Sequence, residues 1–285
     1  MALLLPALLS LMMFTMGLSI LKEDVQRVSS MPRIIIYGLS CQLMVLPVFG
    51  FLVASASGMT PELKVGFIAI CACPGGVLSN YIAFKARGSV ALSVSLTLFS
   101  SIITVFTIPF ILNFAQIWVG VDRTSISLPL GQTMLTVAKM TVLPIALGVV
   151  VHYRFPTAAG RMIAFLSPFC SVSLASYILY LWFQQKSAIV AAAADVGLAV
   201  LALMALISTF VYLTSRLLKI HREYRTTLII ETTIQNSALA FTITAVLMNN
   251  AAYAVPTVFY SVAMFLPALL LIFIGRKTAA VVAGT

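Results

Sequence analysis

The sequence predicts an all-α integral membrane protein with nine transmembrane helices, and three observations carry that expectation. Hydrophobic residues make up 61% of the 285 and charged residues only 8%. A water-facing globular domain carries about a quarter of its residues as charges, so this chain could not cover such a surface. The apolar runs are continuous over about 20 residues, the length that crosses a hydrocarbon core of about 30 Å as a helix, whereas barrel strands would alternate over about ten. Finally, the basic residues collect in short loops between the runs, on alternate sides. Hydrocarbon offers a backbone no hydrogen bonds, so each run must satisfy its own peptide groups as helix.

The runs fall at 2–21, 34–56, 65–84, 90–114, 128–151, 161–183, 188–214, 226–249 and 252–275. The first lacks a basic leader and a small-residue cleavage site, and reads as a spanning helix rather than a signal peptide. Connections as short as Lys85 to Ser89 and Asn249 to Ala251 make neighbours antiparallel and leave no room for a soluble domain, so 1–285 reads as one membrane transporter domain. Alternate loops hold thirteen Lys and Arg on one side (Lys22, Arg27, Arg33; Lys85, Arg87; Arg154, Arg161; Arg216, Lys219, Arg222, Arg225; Arg276, Lys277) and three on the other (Lys64, Arg123, Lys186). Positive charge is retained on the cytoplasmic side, so the C-terminus is expected inside and the N-terminus outside, in a cell (inner or plasma) membrane. The same asymmetry accounts for the net charge of +10 without a nucleic-acid partner. Cys41, Cys71, Cys73 and Cys170 lie within apolar runs and read as small packing residues. His152 and His221 are expected in loops, far apart, and form no metal constellation.

Two runs break the rules of a continuous helix. The third carries Pro74-Gly75-Gly76 near mid-depth, followed by Ser79 and Asn80. Proline removes a helical donor and clashes with the preceding turn, while paired glycines loosen the backbone. The eighth reads Glu231-Thr-Thr-Ile-Gln-Asn-Ser237, a carboxylate and two amides within the interior. A charge at mid-bilayer costs about 2.5–3.5 kcal/mol even on a lenient scale, so Glu231 should face a partner or a wet cavity. Interrupted helices at matching places of two halves signal an inverted-repeat transporter. Here the halves would be a four-helix repeat at 1–115 and a five-helix repeat at 126–278, an inverted five-helix repeat lacking its first helix. Gln42 precedes Pro47 in the second run, and Ser93 and Thr97 share a face of the fourth. With Ser79, Asn80 and Glu231 they supply only oxygen ligands, which suit an alkali cation better than zinc or copper. An intramembrane protease would need a second mid-membrane Asp or a His-Glu-x-x-His pattern, and neither is present.

These residues resemble the bile acid:sodium symporters and their bacterial homologues, from Leu5 onward. The resemblance rests on Met16-Gly17-Leu18, Gln42, Cys73-Pro-Gly-Gly-Val-Leu-Ser-Asn80, Ala86-Arg-Gly-Ser-Val-Ala-Leu-Ser93, Lys139-Met-Thr-Val-Leu-Pro144 and Glu231-Thr-Thr-Ile-Gln-Asn-Ser237. It implies a panel domain and a core domain, with two broken helices crossing at the core's centre. It also implies two sodium ions acting as coupling ions, with no other cofactor and no enzymatic activity. One sodium site would comprise Ser79, Asn80, Ser93, Thr97 and Glu231. The other would comprise Gln42, Glu231 and Gln235, with the backbone carbonyls of Thr232 and Ile234. Substrate-lining positions would be Val77, Asn80, Asn236, Met264 and Phe265. Val77 stands where bacterial relatives often carry Thr, and Met264-Phe265 replaces a polar His-Asn pair, which implies a more apolar wall. The function implied is sodium-coupled symport of an organic anion (bile-acid-like, steroid conjugate or small carboxylate) by alternating access. The alternative is a metalloid exporter of the arsenite type, from a related superfamily that uses a Cys and a Glu, here Cys73 and Glu231.

Overall fold

The computed structural model describes residues 4–21, 26, 31–120, 129–184, 186–248 and 250–283, and every extended element of regular structure among them is a helix. In chain order these are α1 (Leu4–Leu18), α2 (Pro32–Ala56), α3 (Pro61–Ala72), α4 (Val77–Lys85), α5 (Val90–Trp118), α6 (Leu130–Arg154), α7 (Pro156–Gln184), α8 (Lys186–Leu217), α9 (Arg222–Thr233), α10 (Ser237–Leu247) and α11 (Ala251–Arg276). Six of them, α2, α5, α6, α7, α8 and α11, are long and apolar enough to cross a membrane, and α1 and α10 are shorter apolar helices. The basic loop positions Lys22, Arg27 and Arg123 lie outside the described residues.

The helices overrun the apolar runs where their end residues tolerate helix. Prolines sit in the first turn of α2, α3 and α7, where a missing N–H costs nothing because it would have no helical partner. Thus α7 begins at Pro156 rather than 161, and α8 continues to Leu217 rather than 214. One sequence expectation is corrected: His152 lies in the last turn of α6, not in a loop, because that helix continues to Arg154. Internal prolines leave visible marks. Pro47 deletes one helical bond in α2, and the turn before it widens to π geometry over Cys41–Val45, with the Leu46 N–H reaching the Cys41 carbonyl. Pro144 interrupts α6 at Thr141.

The exposed surface identifies the solvent. Along α5, Phe99, Phe106, Phe110 and Phe114 face outward, while Ser93, Thr97, Ser100, Ser101 and Thr104 are buried. Polar inside and aromatic outside is the polarity of a helix facing lipid, where an unsatisfied hydroxyl is costly and apolar surface is not. The buried hydroxyls of Ser100, Ser101 and Thr104 bond back to carbonyls of their own helix.

The helices pack in two groups. One is α1 with α6 and α7; the other gathers α2 to α5 with α8 to α11, and the groups meet where α1 lies against α10 and α5 against α6. Within the first group α1 and α6 approach through bare backbone, for a side chain on Gly17 would strike the Ile145 carbonyl and one on Gly148 the Phe14 carbonyl. Close approach through small residues is how helices gain packing energy where lipid is as apolar as leucine. Gly17→Ala should therefore cost about 1–3 kcal/mol, as overpacking does. It would be read as a lower unfolding midpoint in detergent; an unchanged midpoint would contradict the backbone contact.

Candidate functional site

The two interruptions expected from sequence fall at 73–76 and 234–236, and they meet each other. Pro74 disfavours helix at the preceding residue, so Cys73 is extended and α3 stops at Ala72. In the other segment α9 ends at Thr233, and Asn236 restarts the helix by accepting the Leu239 N–H at 3.0 Å. Between them the segments form an antiparallel bridge, Gly75 opposite Gln235. The Gly76 N–H donates to the Ile234 carbonyl at 3.3 Å and the Asn236 N–H to the Pro74 carbonyl at 2.9 Å. Peptide groups freed by each break are thus taken up by the other.

Side chains satisfy further carbonyls. The Tyr260 hydroxyl of α11 donates to Thr233 O at 3.1 Å, and the Ser79 hydroxyl to Gly76 O at 2.7 Å. The Gln42 amide of α2 donates to Glu231 O at 3.2 Å, and the Gln235 amide to Glu231 O and Thr232 O at 3.3 and 3.2 Å.

Glu231 lies at the centre and is 1% exposed, the one charged residue among the buried described residues. Its carboxylate accepts the Ser93 hydroxyl at 2.5 Å on one oxygen and the Thr97 hydroxyl at 2.8 Å on the other. Ser93 Oγ also lies 2.8 Å from Asn80 Oδ1, so a single hydroxyl proton faces two acceptors. The side-chain oxygens of Gln42 and Gln235 are buried with no hydrogen-bond partner. Unpaired buried acceptors cost about 1–3 kcal/mol each, and a surplus of oxygen lone pairs over protons is what a cation relieves. The donor set is all oxygen, which matches a hard alkali ion.

Of the residues singled out in the sequence, Asn80, Ser93, Thr97 and Glu231 converge in one cluster, with Ser79 beside it turned to Gly76 O. Gln42 and Gln235 converge on the Glu231 carbonyl, while Ile234 O is occupied by the Gly76 N–H. Asn236 and Met264 are buried, Val77 is partly buried, and Phe265 is 44% exposed. Lys139 and Asp195 are exposed on α6 and α8 and take no part in the cluster. Two contributions to the centre were not assigned from sequence. Gly75 abuts the Glu231 carboxylate so closely that any side chain there would collide with Oε2, a role hinted at by the Pro-Gly-Gly signal. Tyr260 gave no signal, because an aromatic in an apolar helix reads as packing.

Interrupted helices meeting at a buried polar centre are a recurring feature of the secondary transporters of membranes. The chain belongs to the sodium bile acid symporter family, whose profile matches residues 6–193. It is 30% identical over 272 residues to the probable chloroplastic sodium/metabolite cotransporter BASS1 of Arabidopsis thaliana, covering 95% of this chain and 66% of that protein. The uncharacterized sodium-dependent transporter YocS of Bacillus subtilis is 29% identical over 156 residues, 54% of this chain and 46% of its own. The human ileal sodium/bile acid cotransporter is 31% identical over 154 residues, 53% of this chain and 43% of its own. The chain thus spans less than two thirds of the length of these relatives. Nothing favours the metalloid-exporter reading: the Cys73 thiol is buried and donates to Ala69 O in the last turn of α3 at 3.2 Å.

Replacing Tyr260 by Phe leaves the Thr233 carbonyl unpaired and should cost about 1–3 kcal/mol. The same substitution at exposed Tyr212 should cost little, and equal effects in thermal unfolding would contradict the role given to Tyr260.

Proposed function

We propose that this protein is a sodium-coupled symporter of an organic anion, working by alternating access. The observation that carries the reading is Glu231: a wholly buried carboxylate ringed by hydroxyls, flanked by two buried glutamine oxygens without partners, where two interrupted segments meet. One sodium ion binds among Ser79, Asn80, Ser93, Thr97 and Glu231. The Ser93 and Thr97 hydroxyls rotate their protons away and present lone pairs to the ion. The second ion binds among Gln42, Glu231 and Gln235, with the backbone carbonyls of Thr232 and Ile234 completing the coordination.

Charge arithmetic selects the co-substrate. Two sodium ions against one carboxylate leave about one positive charge in a low-dielectric interior, which a monoanion neutralises. The helices that restart at Val77 and Ser237 both begin at the meeting point, so their N-termini add positive potential there. Relatives named for sodium cotransport of metabolites and of bile acids are consistent with this class of cargo.

The movement follows from the packing. We take α1, α6 and α7 as a panel and the remaining helices as a core, nine crossings among the described residues, with α3–α4 and α9–α10 each counting as one interrupted crossing. The two interrupted crossings then sit at matching places of two inverted repeats. Loading the core with ions and anion lets it shift against the panel, exposing the site first on one face and then on the other. The distribution of Lys and Arg supports a cytoplasmic C-terminus in a cell membrane.

The test is the sodium-dependent rise in thermal stability of the purified protein, with potassium as control. A ligand at one hundred times its dissociation constant stabilises by about 2.7 kcal/mol. Glu231→Gln should abolish the rise, and Gly75→Ala should weaken it strongly by displacing the carboxylate. A sodium response that survives Glu231→Gln would contradict the assignment.

A further inference from the structure

The turn between α8 and α9 gathers positive charge at one end of the bundle. α8 is long enough to cross a membrane and ends at Leu217, so the turn falls where hydrocarbon gives way to water. Lys219 closes the helix in the left-handed conformation (φ 53°), its N–H donating to Arg216 O at 3.0 Å and the Ile220 N–H to Ser215 O at 2.9 Å. That reversal lays the first turn of α9 against the last turns of α8. There the Arg216 and Arg225 guanidiniums lie 5.8 and 5.3 Å from the centre of one ring, that of Tyr212. Arg216 also donates to the Tyr212 hydroxyl at 3.4 Å. Cation–π attraction favours each contact singly, yet together they hold two like charges beside one ring, and like charges repel. Among the described residues both guanidiniums make these contacts with Tyr212 and neither pairs with a carboxylate. Beside them on α8, Leu213 is 53% exposed and Leu217 80%, with Leu218 at 60% in the turn. Paired cations over bare leucines form a surface with two chemistries.

We propose that Arg216, Arg225 and Tyr212 form a binding site for the headgroup of an acidic phospholipid, whose acyl chains lie along Leu213 and Leu217. One phosphate accepts hydrogen bonds from both guanidiniums and relieves their repulsion, and the planar fork of Arg suits phosphate better than a point charge would. Lys219, exposed in the turn, adds attraction toward an anionic leaflet. A zwitterionic lipid brings its own cation to compete with the arginines, and a soluble phosphate leaves the leucines uncovered, so charge and apolar surface together select the acidic lipid. None of these residues belongs to the polar centre, and the inference stands apart from the symport reading. α9 starts at this site and carries Glu231 near its other end, so a bound lipid anchors the helix that bears the carboxylate.

The experiment titrates the purified protein in neutral detergent with phosphatidylglycerol, phosphatidylcholine or inorganic phosphate and counts bound molecules by native mass spectrometry. The wild type should bind one phosphatidylglycerol about tenfold or more tightly than phosphatidylcholine, the scale of two arginines near an anionic headgroup. Arg216→Gln with Arg225→Gln should abolish that preference, and each single change should remove part of it. Tyr212→Phe, which keeps the ring, should retain the preference, whereas Tyr212→Leu should weaken it. Arg154→Gln with Arg161→Gln removes as much charge from the ends of other helices and should leave it intact. Equal binding of the two lipids by the wild type would overturn the proposal. So would an equal loss in the Arg154 and Arg161 pair, which would reduce the effect to net charge. Inorganic phosphate bound as tightly as phosphatidylglycerol would overturn the lipid assignment.

Discussion

Hydrocarbon supplies no hydrogen bonds, and that constraint governs this molecule from its helices to its polar centre. A helix can be broken at membrane depth only if the freed peptide groups find partners within the protein. Here the two interrupted segments serve each other: Gly76 N–H with Ile234 O, Asn236 N–H with Pro74 O. Side chains from three other helices complete the arrangement, Gln42 from α2, Ser93 from α5 and Tyr260 from α11. Neither break can be understood alone, and the position of Glu231 depends on both.

The same constraint fixes what the centre can do. A carboxylate placed there holds two hydroxyls, and two glutamine oxygens beside it hold nothing. Such a centre has more buried oxygen acceptors than protons to share among them, and its oxygens come from both halves of the chain. Ion binding would therefore tie α2 and α5 to α9 and the restart of α10. That offers a physical route from occupancy to the rigidity of the helix group that carries the site.

Much of this was legible in the sequence because it is a matter of local chemistry. Continuous apolar runs dictated helices, and Pro74-Gly75-Gly76 and the polar stretch from Glu231 located the breaks to within a few residues. Membrane burial made Glu231 conspicuous, since a charge there needs a reason. What escaped was tertiary. No pattern in the chain says that Gly75 touches the Glu231 carboxylate, that Tyr260 supplies a proton to Thr233 O, or that Met13 covers Asn236, because each contact joins residues far apart in sequence. Helix ends were also misplaced, as at α7, where Pro156 and its polar neighbours extend a helix beyond its apolar run.

The central claim, that cations occupy the meeting point of the two broken segments, is tested most directly by a crystal structure with thallium(I) replacing sodium. The account predicts anomalous density at two positions, one bounded by Ser93, Thr97 and the Glu231 carboxylate, the other between the side-chain oxygens of Gln42 and Gln235. Anomalous density elsewhere with none at the crossing would contradict it.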